Sequence, residues 1–430
     1  MRGRLRAILA LAAPTALVSL LQVTAQLFET WLAARQGTAA LAGWAVVLPF
    51  ALLLQMMSVG AMGGGVASAI ARALGAGRRE EAAALVLHAV LIAGAAAACF
   101  AIPLALAPHI VLGWVGGPEA AAAAAPYAIW LFGAGALPAW LANTLASVLR
   151  GGGRHALAAR VLVLAWGCYP PLAWALAEPL GLGLAGLGMA YAVVFWAAAA
   201  AMGVVVLRGG AGFAPQLRIR PQGAMFARIL SVGLVACGLA AIANLTTILV
   251  TAQLASRGAA AVAAYGISAR LEFLMIPLAF GIGSALTALV GRAVGAGDWA
   301  EARRLAWTGG ALAFVVAGSC GAAVTIFPET FARAFTDDAE VVAIAAQALA
   351  IIGPAYGAFG LGMAMYFACQ GVGRMGWPVA GAVARFGLAV GGGALLAAPF
   401  GIEGQFVAVA LGITAYGLFT AASVRPAVWR

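Results

Sequence analysis

The chain has 430 residues, of which 65% are hydrophobic and 9% are charged, and its mean hydropathy is +1.04. Soluble domains are about 45–50% apolar and about 25% charged, so this composition excludes an ordinary soluble protein. Each membrane-spanning helix needs about 20 apolar residues, and the sequence therefore predicts an all-α integral membrane protein with roughly twelve spans.

The net charge of +11 would suggest nucleic-acid binding in a soluble protein. Here we expect no nucleic-acid partner, because the charge follows the membrane topology. The chain has no Lys, and most of its Arg residues fall in alternate connections between the predicted spans. Positive loops stay in the cytoplasm. We therefore expect a multi-pass protein of a prokaryotic cytoplasmic (inner) membrane, with both termini in the cytoplasm.

The first predicted span covers residues 8–34 and carries polar side chains at steps of four and three. This stripe consists of Thr15, Ser19, Gln22, Gln26 and Glu29. Residues at this spacing share one helical face. A carboxylate within a span is costly and needs a reason. The stripe therefore predicts a wet cavity, and hydrogen bonding to neighbouring helices is the alternative.

Pro14 comes directly before Thr15 in the same predicted span. Proline removes a backbone donor and often bends a helix. We therefore predict a hinge at Pro14. Glu29 is the candidate for a group that exchanges a proton as its site opens to either side.

Weaker polar pairs follow along the chain. Asn143 and Ser147 share a face of the fourth span, and Asn244 begins a stripe with Thr247 and Thr251 on the seventh. Both sets are equally consistent with cavity lining and with hydrogen bonds between helices.

Between the sixth and seventh predicted spans lies a basic segment rich in Gly and Pro, residues 208–223. Such a composition is typical of a loop. The sequence thus predicts a six-helix lobe over residues 1–207, a cytoplasmic linker over 208–223 and a second six-helix lobe over 224–430.

Three further ionisable residues lie inside predicted spans. Arg270 and Glu272 belong to the eighth span and Arg385 to the eleventh. Residues two apart point to opposite sides of a helix, so Arg270 and Glu272 cannot pair. Glu272 is predicted to pair with Arg385 as a structural ion pair, and a second coupling site is the alternative.

The two lobes look like copies of one unit. Residues 72–77 (RALGAG) correspond to 292–297 (RAVGAG), and Gly151, Gly153 and Arg154 match Gly371, Gly373 and Arg374 at the same offset. Copies with the same loop charges have the same orientation. The repeat therefore predicts two lobes related by a pseudo-two-fold axis along the membrane normal.

The sequence contains no pattern of an enzyme or of a metal site. The three His residues are dispersed, and the five Cys residues lie in separate apolar segments without CxxC spacing. We expect neither an enzyme activity, nor a bound metal, nor a cofactor. A membrane-embedded transferase would need convergent acidic or His residues, and a scaffold would not need the polar stripe.

Taken together, these stretches resemble the multidrug and toxic compound extrusion (MATE) family, in particular its DinF-like branch. The resemblance covers essentially the whole chain and rests on residues 14–29, 35–43, 72–77, 149–154, 258–265 and 370–374. It implies twelve spans and export of organic cations or other amphipathic compounds, driven by entry of H⁺ or Na⁺.

The resemblance also assigns roles. Glu29 falls where the family carries an Asp that binds the coupling ion, and Asn143 falls on a family Asn. Tyr169 and Ala173 replace the Asn and Asp that the family carries in the fifth span, so that relay is missing. The seventh and tenth spans contain no carboxylate, which disfavours Na⁺ because hard cations need several oxygen ligands.

We therefore expect a cation-coupled, and specifically proton-coupled, antiporter that works by alternating access and acts as a monomer. Glu29 is the predicted coupling residue, Pro14 the hinge, and the candidates for the substrate cavity are Gln22, Gln26, Asn143, Asn244 and Glu272. Small amphipathic or cationic compounds and membrane lipid are the expected partners. The alternative function is a flippase for lipid-linked saccharides or other lipids.

Overall fold

A computed structural model describes residues 2–429, and every regular element in this range is helical. The first eight helices are α1 (Arg2–Arg35), α2 (Thr38–Gln55), α3 (Met62–Gly75), α4 (Arg79–Leu106), α5 (Pro108–Ala128), α6 (Ala136–Gly151), α7 (His155–Ala177) and α8 (Gly183–Leu207). The others are α9 (Gly223–Ala255), α10 (Ala259–Gly295), α11 (Trp299–Ile326), α12 (Pro328–Arg333), α13 (Ala339–Ile352), α14 (Tyr356–Val372), α15 (Gly376–Phe386) and α16 (Gly393–Ala422).

Short irregular helical segments join several of these helices. Three are π-helical, and a 3₁₀ turn at Gly353–Ala355 joins α13 to α14. The π-helical segments of the described residues are Met56–Ala61, Ile129–Ala134 and Gly387–Gly392. Such segments are rare inside long helices and occur frequently at functional sites.

The helices confirm the predicted multi-span architecture. Within residues 2–429, ten helical stretches are long and apolar enough to cross a membrane, or eleven if the bent pair Pro108–Ala134 and Ala136–Gly151 counts as one span. The last stretch, Gly376–Ala422, has 47 residues, which is about 70 Å of helix and twice the thickness of a bilayer core. Gly401 breaks it with φ 60° and ψ −139°, a conformation that favours glycine. Counted as two crossings, it brings the total to twelve.

The chain divides into two compact units. The N-terminal unit consists of Ala13–Gly233, and the C-terminal unit consists of Met1–Ala12 with Leu234–Arg430. The first turns of α1 thus belong to the C-terminal unit, where Arg4 forms an ion pair with Glu301 at 2.7 Å.

Backbone geometry repeats between the two halves of the sequence. Gly37 precedes α2 with φ 101° and ψ 170°, and Gly258 precedes α10 with φ 106° and ψ 167°. Gly77 and Gly297 likewise share a positive φ, at 74° and 78°. These angles are strained for residues with a Cβ atom, so glycine is retained at both copies of each turn.

In the N-terminal unit, the segment that follows α8 is fastened to α4. The backbone N–H of Gln216 donates to the carbonyl of Ala83 at 3.1 Å, and the N–H of Gln222 donates to Nε2 of His88 at 2.8 Å. His88 is fully buried, and its Nδ1 lies 2.9 Å from the carbonyl oxygen of Ala84. Because Nε2 accepts a hydrogen bond from a backbone N–H, Nδ1 is the nitrogen that donates to Ala84.

In the C-terminal unit, the segment that follows α16 is fastened in a similar place. Nη1 of Arg303 on α11 donates to the carbonyl of Trp429 at 2.8 Å, and Arg374 donates to the carbonyl of Val428. Nε1 of Trp307 contacts the carbonyl of Val424 at 3.4 Å. The segments after α8 and after α16 are therefore both held near the start of the third long helix of their half, α4 and α11.

An ion pair joins the ends of α1 and α7 within the N-terminal unit. Nε of Arg35 lies 2.6 Å from Oε1 of Glu178, and Oε2 of the same carboxylate accepts a hydrogen bond from Nε1 of Trp174 at 3.0 Å. The hydrogen bond from Arg35 holds the pKa of Glu178 below its usual range. The pair is exposed, so its contribution to stability is small.

Candidate functional site

Glu29 lies in the interior of the N-terminal unit, with 8% of its surface exposed. Its Oε1 accepts a hydrogen bond from Nε1 of Trp44 at 3.1 Å and another from the hydroxyl of Tyr127. None of the ion pairs among residues 2–429 includes Glu29. The carboxylate is therefore held by neutral donors and not by an arginine.

The close approach of α2 and α5 explains how these donors converge. A Cβ atom on Gly43 would lie 2.8 Å from backbone atoms of Ala123 and Ala124, so only glycine allows this contact. Trp44 is the next residue on α2, and Tyr127 lies one turn beyond Ala123 on α5. Because Gly43 has no side chain, α2 and α5 pack closely enough for the indole of Trp44 and the phenol of Tyr127 to reach the same oxygen of Glu29.

A small cavity adjoins Glu29. Its volume is about 30 Å³, and its polar lining residues include Gln26, Glu29, Tyr127 and Tyr191. A water molecule needs roughly 10–15 Å³ and two or more polar partners, so this cavity suits water. Ligand pockets occupy roughly 300–1,000 Å³, so a drug-sized molecule does not fit in this conformation.

Aromatic rings close the cavity on the side of α7 and α8. Trp166 packs edge-on against Phe195, with ring centroids 5.3 Å apart, and against Tyr169 at 6.1 Å. Tyr169 and Tyr191 meet edge-on at 6.1 Å. Tyr169 is fully buried, and it fills the place where the resemblance implies a family Asn.

A second polar cluster lies beside the cavity. Nε2 of Gln55 donates to the hydroxyl of Tyr191 at 2.7 Å, and Nδ2 of Asn143 donates to Oγ of Ser58 at 3.0 Å. Asn143 also contacts Oε1 of Gln55 at 3.4 Å. Asn143 therefore links α6 to the π-helical segment after α2, and it does not line the cavity around Glu29.

The polar stripe of α1 divides into two parts. Gln26 and Glu29 line the cavity, whereas Gln22 is half-buried and is not among the lining residues. Thr15 is buried, and its hydroxyl lies 3.2 Å from Nδ1 of His155. Thr15 thus makes a contact between helices, whereas the hydroxyl of Ser19 donates to the carbonyl of Thr15 on its own helix. The helix α1 continues through Pro14.

The other candidates belong to the C-terminal unit. Nη2 of Arg385 lies 2.5 Å from Oε1 of Glu272, and each side chain is 12% exposed. The guanidinium also lies over the ring of Phe359 at 5.7 Å. Glu272 and Arg385 therefore form the ion pair that the sequence suggested. Asn244 donates to the carbonyl of Ala240 on its own helix at 2.8 Å.

The sequence did not identify Trp44, Tyr127, Tyr191 or Gln55 as site residues. The available signal was the position of Tyr127, Tyr169 and Tyr191 inside predicted spans, because a buried hydroxyl needs a polar partner. For the described residues, no group of three or more His, Cys, Asp or Glu side chains is arranged to hold a metal ion.

The sequence profile of the MatE family matches residues 14–175 and 232–395, which together include Glu29 and both repeats. The chain belongs to the MatE family. Members of this family are membrane transporters. A probable multidrug resistance protein NorM of Xanthomonas axonopodis pv. citri is 29% identical over 333 residues, which cover 74% of this chain and 70% of that protein. The NorM protein of Xanthomonas campestris pv. campestris is 28% identical over the same length and coverage.

Solved structures share the MatE fold. A MOP superfamily transporter from Pyrococcus furiosus, described as having a binding pocket of reverse polarity, has a TM-score of 0.91 at 20% identity and matches 99% of this chain and 96% of that chain. The Vibrio cholerae MATE transporter VcmN in its bent form has a TM-score of 0.90 at 23% identity, with coverage of 99% and 97%. These likenesses confirm the predicted all-helical, two-lobe fold.

Proposed function

We propose that this MatE chain is a proton-coupled multidrug efflux transporter of a prokaryotic inner membrane, with cytoplasmic termini and a monomeric functional unit. Its similarity to probable multidrug resistance proteins of Xanthomonas supports multidrug efflux. The observation that supports proton coupling is the environment of Glu29. Its carboxylate is buried, forms none of the ion pairs of the described residues, and lies beside a cavity that is large enough for water.

The immediate partners of Glu29 favour H⁺ over Na⁺. Hard cations need several oxygen ligands with available lone pairs. Trp44 offers only an N–H group, and the hydroxyl of Tyr127 donates to the carboxylate. A proton needs only the carboxylate itself and a water molecule in the cavity.

In this mechanism of alternating access, the charge of Glu29 controls the binding and release of the substrate. When ionised, Glu29 attracts a cationic amphipathic compound from the cytoplasm. A proton that arrives from outside neutralises the carboxylate, which removes this attraction and releases the compound outward. The exchange of one proton for one monocation moves no net charge, so the pH gradient drives it. Each pH unit supplies about 1.4 kcal/mol, which supports roughly a ten-fold concentration ratio.

The small cavity requires a conformational change before a substrate can bind. The π-helical segments Met56–Ala61 and Ile129–Ala134 follow Gln55 and Tyr127 closely in sequence. A π-helical segment weakens the regular hydrogen-bond ladder of a helix. We infer that these segments, with the proline in α1, allow α1, α2 and α5 to move and enlarge the site.

The test is Glu29→Gln in proteoliposomes loaded with a cationic dye and given a pH gradient. We expect dye efflux to lose its dependence on the gradient, because the amide cannot take up a proton. Glu178→Gln is the matched control, since it removes a carboxylate at the exposed end of α7 and should leave coupling intact. Proton-driven efflux that persists in Glu29→Gln contradicts the proposal.

A further inference from the structure

Arg270 is an exposed cation in the membrane-spanning part of α10. The helix has 37 residues with a mean hydropathy of 2.1 in its apolar window. Arg270 is eleven residues from Ala259, which places it about 16 Å along the helix from that end. Its neighbours on the exposed face are apolar, with Leu274 43% exposed and Leu278 44% exposed.

No carboxylate of residues 2–429 forms an ion pair with Arg270. Glu272 is two residues away and therefore points to the other side of α10, where Arg385 holds it at 2.5 Å. The interior charges of the spanning helices in this unit, Arg270, Glu272 and Arg385, thus sum to +1, and the excess charge lies at Arg270.

An exposed, unneutralised arginine is unfavourable against lipid tails, and ionisable residues within spans typically face water and mark the path of a substrate. Arg270 lies on a face of α10 that is otherwise apolar. Such a surface complements a molecule with an apolar body and one acidic group.

We propose that Arg270 binds the acidic group, a carboxylate or a phosphate, of an amphipathic substrate. A guanidinium presents paired N–H donors that match the two oxygens of such a group, so recognition is geometric as well as electrostatic. The inference rests on the proposed efflux function and narrows its substrate class. The transported compounds include zwitterions, which carry an acid beside their cationic group, as well as simple cations.

A matched pair of dyes tests this directly. Rhodamine B carries a free carboxylate, and its ethyl ester is a cation that differs from it only at that group. Efflux of both is measured in proteoliposomes for the wild type, Arg270→Gln, Arg270→Lys and Arg257→Gln. The last is the control, because Arg257 is exposed at the connection between α9 and α10 and already donates to the carbonyl of Ala397 at 2.9 Å.

We expect Arg270→Gln to lower the ratio of carboxylate-dye to ester-dye efflux about ten-fold, a typical effect of one lost charge-assisted hydrogen bond. Arg270→Lys should keep part of the ratio, because it keeps the charge but loses the paired geometry. Arg257→Gln should leave the ratio unchanged. Size-exclusion chromatography of each variant confirms that it is folded.

Two outcomes overturn the proposal. One is an unchanged ratio in Arg270→Gln. The other is an equal loss of both dyes that occurs in vesicles with phosphatidylglycerol but not in pure phosphatidylcholine, which would assign Arg270 to a lipid headgroup. Failure of the efflux function itself is distinguishable, because it would leave the wild type unable to move either dye.

Discussion

Glu29 shows how a longer acidic side chain suits its surroundings. The donors Trp44 and Tyr127 come from different helices and meet the same oxygen, Oε1. At the corresponding position the family resemblance implies Asp, which is one methylene shorter. The aromatic rings around this site are large, and Glu reaches between them to a point that Asp cannot reach without movement of α1.

We therefore expect Glu29→Asp to retain a carboxylate but to lose its contacts with Trp44 and Tyr127. Proton-driven dye efflux should fall at least ten-fold, because each of the two hydrogen bonds to a charged group contributes about 1.5–3 kcal/mol. Initial efflux rates under a fixed pH gradient measure this, with Glu178→Asp as the control. A Glu29→Asp rate equal to that of the wild type would show that the reach of the side chain is unimportant.

At the scale of elements, the crossing of α2 and α5 controls the site. Gly43 is the closest point of that crossing, and it is followed directly by Trp44. A side chain at this position would separate the helices and withdraw the indole from Glu29. Gly94 on α4 provides a comparison, because a Cβ atom there would meet nothing within 4 Å.

We expect Gly43→Ala to destabilise the protein by about 1–3 kcal/mol, the usual range for overpacking. Gly94→Ala should be neutral or stabilising, since alanine favours helix. Thermal unfolding of both variants in the same detergent compares them. If the two melting temperatures shift equally, the α2–α5 contact is not as tight as the structure indicates.

The limits of prediction from sequence also lie at this scale. The stripe on α1 identified Glu29 and Gln26, because the spacing of polar residues along one helix can be read from the sequence. The ion pair Glu272–Arg385 could be predicted because few charged residues occur inside the spans. Tyr127 lies inside a predicted span, but its contact with Glu29 could not be predicted, because that contact depends on which helix packs beside α1. The π-helical segment after Gln55 could not be predicted from the sequence either, because it changes neither the composition nor the length of the apolar segment.

For the whole molecule, the alternation of loop charges predicts a topology that can be tested. In a variant without its native cysteines, Ala214→Cys places a thiol in the segment after α8, and Asp337→Cys places one before α13; both positions are exposed. A membrane-impermeant maleimide added to intact cells should label only Asp337→Cys. Labelling of both after cell lysis is the control, and labelling of Ala214→Cys from outside would reverse the topology.

The two fastened segments suggest how such a chain arose. The segment after α8 is bound to α4 through His88, and the segment after α16 is bound to α11 through Arg303. Each half therefore ends in a segment that is hydrogen-bonded to its own third long helix. This is the arrangement expected after the duplication of a gene for a six-helix protein. A cut in the backbone between Arg218 and Gln222 severs no helix, and the two fragments, when co-expressed as separate polypeptides, should reassemble into a working transporter.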